Sequence, residues 1–204
     1  MSDTKRIETI PETLNRRLAA ILHADVQGYS RLIEQDEVGT LHVLTPYLEM
    51  MNELVRQHGG HAVGSRGDSL LAEFPSARSA VQCAVEMQRE LKRRNAELPS
   101  EQRIQFRMGI HVGEVVEDGE QLHGDGINIA VRLEGLAEAG GILISGTVYD
   151  QVKTKLALQY EALGEQHLKN IVEPVRVWQV VLEEAESPQS EVQGLKLKVQ
   201  SLDG

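Results

Sequence analysis

Two carboxylates are placed where they could do chemistry. Asp25 ends the apolar run RLAAILHAD and is followed by the small-residue turn of VQGYS, and Asp68 lies at the tip of HAVGSRGDSLLAEF. Carboxylates brought to adjacent strand ends are hard oxygen donors. That is the set by which one or two divalent cations hold a triphosphate and stabilise attacking and leaving oxygens. Gly28 lets backbone amides approach an anion, and Ser30 offers a hydroxyl where a helix should begin. Each aspartate also has a plainer use, Asp68 shaping its turn and Asp25 capping the helix that starts near Ser30.

The surrounding pattern says what would position them. RLAAILHAD suits a central strand covered on both faces, delivering Asp25 to a sheet edge. Leu41, Leu44, Leu48, Met51 and Val55 recur at helical spacing, and Gly59-Gly60 stops that helix. HAVGSRGDSLLAEF reads as a hairpin about Ser65-Arg66-Gly67-Asp68. After Pro75, the stripe Ala77, Ala80, Val81, Ala84, Val85, Leu91 predicts a second helix ending in the charged LKRRNAELP. RIQFRMGIHVGEVV alternates as a strand. GDGINIAVRLEGLAEAGG is a helix with Asp125 as N-cap and Gly140-Gly141 as its stop, and GILISG, TVYDQVKTKL and the pair LALQYEALGEQHL and PVRVWQVV follow as strand, short helix and two strands. This order predicts an α+β domain over residues 16–183. Its core is ferredoxin-like, βαββαβ, with extra C-terminal strands and helices on one face of a largely antiparallel sheet, between polar tails at 1–15 and 184–204.

Composition limits the partners. The 204 residues carry a formal charge of −10, which disfavours nucleic acid and anionic membrane, so a phosphate ligand needs local basic groups or a metal. Cys83 is the one cysteine and lies on a helical stripe, as a buried structural thiol does. The N-terminus has no apolar signal region and no run reaches the length of a membrane span; the expectation is a cytoplasmic chain without its own membrane segment.

Four motifs in order carry a resemblance to one family. HADVQGYS resembles the FxDIxGFT motif of class III nucleotidyl cyclases, GSRGDSLLAEF their second metal-aspartate hairpin, MGIHVGEVV the following strand, and HGDGINIAVRLEGLAEAGGILIS their G-x-x-x-N-x-A-x-R segment. The likeness runs from about Arg17 to Val181. It implies a head-to-tail homodimer that converts a nucleoside triphosphate to a 3′,5′-cyclic nucleotide and pyrophosphate. It further implies that Asp25, Val26 and Asp68 hold two Mg²⁺ or Mn²⁺ ions and that Asn128 and Arg132 act on the transition state from the other protomer. Val26, Gly28, Tyr29, Ser30, Gly64, Gln121 and Lys169 then fall on nucleotide-binding positions. Asn128 and Arg132, at i and i+4, share a helix face, although alone such a pair would be an amide and a cation on a wet surface.

The base-reading positions depart from the family. Where adenine-selective members carry Lys and Asp or Thr, this chain has Gly64, which has no side chain, and Gln121, which can donate or accept to either purine. ATP is the expected substrate, with GTP second. A catalytically weak or inactive module for dimerisation, nucleotide sensing or regulation is the alternative. His23, His61, His111 and His123 show no paired ligand spacing, and Trp178 is expected to pack on the last strand.

Overall fold

The computed structural model describes residues 15–118 and 121–182, so all but Asn15 of the two expected tails falls outside the described residues. The chain folds around β1 (Asn15–Val26), which pairs antiparallel with β3 (Ser69–Phe74) on one side and β4 (Phe106–Asp118) on the other. Between β1 and β3 lie α1 (Tyr29–Gln35), α2 (Glu37–Gln57) and β2 (His61–Arg66). Asp36 separates the two helices, its side chain accepting from Gly39 N at 2.9 Å as the N-cap of α2. α2 thus begins before the stripe seen from Leu41 and carries Pro46 within it.

The second half contains α3 (Ala77–Ala96), a 3₁₀ turn at Ser100–Gln102, β4, β5 (Gln121–His123), α4 (Asp125–Leu136), β6 (Ile142–Ser145), α5 (Gly146–Val152), β7 (Gln159–Gln166) and β8 (Val175–Val181). The sheet order is β2-β3-β1-β4-β6-β8-β7, with β5 folded back on β4. The first four strands have the order of a ferredoxin-like core. β6 joins β4 in parallel, and β8 and β7 extend the edge antiparallel, so the sheet is mixed.

Two expectations need correction. The helices do not share one face. Ala20, Leu22 and Ala24 of β1 meet α2 and α3 in the main core, whereas Ala19 and Ile21 meet Ala130 of α4 on the opposite face. Strand residues alternate sides, and β1 is apolar on both, so α4 is needed to cover the second. Asp125 is not the N-cap of α4 either: Gly124 is, with φ 143°, and Asp125 is the first helical residue. α4 lies unusually close to the sheet. A Cβ added to Gly109 of β4 would stand 2.1 Å from Ala130 O and 2.3 Å from Glu134 N, so helix backbone rests on strand backbone.

Cys83 is fully buried, and its thiol is pushed up to about 12 by burial. Trp178 on β8 stacks on Tyr149 of α5 with ring centroids 4.4 Å apart, as packing on the last strand requires.

Candidate active site

β1 and β3 bring the two aspartates together because Asp25 pairs with Ser69, the residue that follows Asp68. Asp25 is only a quarter exposed, and its carboxyl is pushed up to about 6. Burial is the main cause; the charge of Asp68 and then that of Glu134 add to it, against the opposing pull of His23 and Arg107. Asp25 does not cap α1, whose N-cap is Gly28 at φ 70° with no side-chain cap. Its carboxylate is free of that structural duty. Gly28 and Ser30 are exposed at the start of α1, while Tyr29 leans on the main core. Val26, at the end of β1, is buried.

On the α4 face of the sheet, Asp25 belongs to a charged cluster. Arg107, its register partner on β4, donates from Nη2 to Asp25 Oδ2 at 3.4 Å and lies 2.8 Å from Glu134 Oε1. His23 Nδ1 is 3.4 Å from Glu134 Oε2. Sequence reasoning did not single out Arg107 or Glu134. The available signal was a carboxylate lying in the same helical stripe as Gly126, Ala130 and Leu133, where burial demands a partner.

Asn128 and Arg132 occupy the other side of α4. Both are exposed, and no hydrogen bond or ion pair to a described residue holds either. Nor is Arg132 among the charges that act on Asp25. The fold therefore brings Asp25 to Asp68 and, among the described residues, pairs the Asn and Arg with neither. Lys169 is exposed in the turn between β7 and β8, just before Asn170, which has φ 65°. That turn and the start of α4 flank one groove of about 560 Å³, lined by Asp125, Ile129, Asn170 and Arg176 above buried His111 and Ser145. His111 Nδ1 is 2.9 Å from Ser145 Oγ, and burial holds the imidazole down at about 4. It is a neutral packing group. Gly64 pairs with Leu71 just after a register shift in the hairpin, and Gln121 pairs with Asp118 where β5 folds back.

The donor chemistry of the aspartate pair fits a hard divalent cation. Two repelling carboxylates, one of them desolvated, are relieved by positive charge between them. No group of three or more His, Cys, Asp or Glu that could hold a metal occurs among the described residues. A pair of carboxylates suits Mg²⁺ or Mn²⁺, which keep water and phosphate as further ligands, better than a metal that needs a closed protein cage. None of the described helices is long and apolar enough to cross a membrane.

Comparison with known proteins gives a consistent result. The model of the adenylate and guanylate cyclase catalytic domain family matches residues 15–182. A Rhizobium meliloti (strain 1021) protein named "Putative adenylate cyclase 3" is 39% identical over 168 residues, covering 82% of this chain. The matched region is 29% of that relative's own length, so this chain spans less than a third of it. Among solved structures, an adenylate/guanylate cyclase/hydrolase from Silicibacter pomeroyi superposes with a TM-score of 0.78 at 39% identity, covering 83% of this chain and 99% of that one. The adenylyl cyclase CyaB from P. aeruginosa superposes with a TM-score of 0.74 at 25% identity, covering 85% and 98%.

Proposed function

We propose, from the premise that the chain belongs to the adenylate and guanylate cyclase catalytic domain family, that it is an adenylate cyclase acting as a homodimer with two shared sites. It would convert ATP to 3′,5′-cyclic AMP and pyrophosphate. One observation carries the reading: Asp25 and Asp68 meet within one chain, while Asn128 and Arg132 are exposed and engage none of the described residues through a hydrogen bond or ion pair. Such a chain has two half-sites, and a two-fold axis makes two whole ones.

Asp25 and Asp68, with Val26 beside them, would hold Mg²⁺ or Mn²⁺. Bound there, the cations supply Lewis-acid activation of the ribose 3′-hydroxyl and neutralise triphosphate charge. Gly28, Tyr29 and Ser30 form the turn along which phosphates approach. From the partner chain, Asn128 orients the ribose, Arg132 stabilises the negative charge that grows at the α-phosphate, and Lys169 faces the triphosphate. Gly64 and Gln121 flank the purine. Because Gly64 contributes no side chain, selection of adenine falls to Gln121 and to backbone, and GTP is the second substrate to try. The same gap favours the second reading, a cyclase-fold module that binds nucleotide and turns over little.

The test is cyclic nucleotide formation by the purified chain with Mn²⁺ and ATP or GTP, beside Asp25→Ala and Arg132→Ala. Each variant alone should lose about a hundred- to a thousand-fold in kcat. Mixed, they should regain activity, because a mixed dimer rebuilds one intact site. Failure of the mixture to recover would refute site sharing. No product from either nucleotide, in a folded dimer, leaves the module reading.

A further inference from the structure

Arg107 poses a problem for a cation site. It stands opposite Asp25 in the β1–β4 register, and a guanidinium there competes with any metal for the same carboxylate. The geometry contains the answer. Arg107 Nη2 lies 2.8 Å from Glu134 Oε1 but 3.4 Å from Asp25 Oδ2, so the guanidinium sits closer to the helix carboxylate than to the strand one. Glu134 is almost fully buried, and its backbone N faces Gly109, the glycine two residues along β4 from Arg107. It is therefore fixed in place. The cluster is also incompletely hydrogen-bonded: Arg107 Nε is buried without a hydrogen-bond partner, and Glu134 meets Arg107 Nη2 and His23 Nδ1 as ion pairs rather than as aligned hydrogen bonds. A buried network with an unpaired donor has room to tighten, and Arg107, already nearer to Glu134 than to Asp25, tightens by improving its alignment with Glu134.

We propose that Glu134 and Arg107 are positioning residues for Asp25: Glu134 draws the guanidinium away from the aspartate and leaves that carboxylate open to a divalent cation. This rests on the reading of Asp25 and Asp68 as cation ligands. Arg107 offsets the buried charge of Glu134, and Glu134 keeps Arg107 from becoming the permanent counter-ion of Asp25. α4 thereby contributes to the metal half-site of its own chain through Glu134, while its outer face carries Asn128 and Arg132 toward the other.

The experiment is Mn²⁺ binding to the full chain without nucleotide, read from the electron paramagnetic resonance signal of free Mn²⁺, with cyclase kinetics alongside. Glu134→Gln should weaken Mn²⁺ binding about ten-fold, since Arg107 is left with Asp25 as its anionic partner. Its kcat at saturating Mn²⁺ should stay within about three-fold of wild type, because the reacting groups are untouched. Adding Arg107→Met to that variant should restore the affinity, as the competing cation is gone. Unchanged Mn²⁺ affinity in folded Glu134→Gln overturns the proposal, and so does an equal weakening in the double variant, which would mark a packing defect. If Glu134→Gln does not fold, the double variant decides: affinity at or above wild type is required, and a weaker one overturns the proposal. Asp25→Asn and Asp68→Asn separate the two levels. If they bind Mn²⁺ as wild type does, the cation-site reading falls and the inference with it; if they alone lose binding, only the inference falls.

Discussion

The two halves of the candidate site are built on opposite principles. At the Asp25 end, charges are crowded, partly buried and mutually dependent: Asp25, Asp68, Glu134, Arg107 and His23 each act on at least one neighbour. On the outer face of α4, Asn128 and Arg132 are exposed, and among the described residues no hydrogen bond or ion pair holds them. The first half is strained before any ligand arrives; the second relies on the rigidity of its support. A group that must hold a cation benefits from electrostatic frustration that the cation relieves, whereas one that must meet a partner chain benefits from an accurately seated scaffold.

Perturbing each half should therefore do different things. The largest effect on stability is expected beneath α4, where Gly109→Ala forces strand and helix backbones apart and should cost about 3 kcal/mol in denaturant unfolding. Below the groove at the start of the same helix, His111 is neutral in the fold, at about 4, against an ordinary 6.5. The unfolded chain takes up this proton first as pH falls, so the stability tied to His111 is whole above about 6.5 and drains away toward 4. Between pH 7 and pH 5 wild type should lose about 2 kcal/mol more than His111→Gln.

Asp25 has the opposite sign. Its carboxyl is raised from 3.8 to about 6, so ionising it costs stability as pH climbs through that window, with the full cost present above 6. In the presence of a chelator, Asp25→Asn should be more stable than wild type at pH 7.5 by about 1 to 2 kcal/mol, a gain that disappears near pH 4. The smallest effect belongs to the outer half: Arg132→Ala should shift unfolding by less than about 0.5 kcal/mol, even as it removes activity. A destabilisation of a kcal/mol or more would mean that Arg132 is engaged within its own chain, and the contrast between the halves would collapse.

Much of this arrangement was readable from residue order. The strand that ends in Asp25 and the hairpin that carries Asp68 follow from apolar periods and turn residues, which are local signals, and the ferredoxin-like order then makes them neighbours. The placement of α4 was not local. The double apolar face of β1 called for cover on both sides, but only the glycines of β4 decide how closely a helix can approach. Asp125 looked like a cap because Asp commonly is one, yet Gly124 takes the position with a φ of 143° that a side chain rarely adopts. Glu134 and Arg107 stayed hidden because each reads as an ordinary surface charge until the fold sets them face to face. β5 is too short for a period to declare itself.

The backbone contact at Gly109 fixes a length. With no side chain between helix and strand to compress or repack, α4 cannot slide along β4 without atoms of the main chain colliding. The separation between Asp25 and Arg132 inside one chain is then a constant of the fold, like the spacing of two holes drilled in one plate. In the proposed dimer, rotation of one whole chain against the other is the coordinate that opens or closes a site without moving α4 on its own sheet. Because each chain serves both sites, that rotation reaches the two of them together.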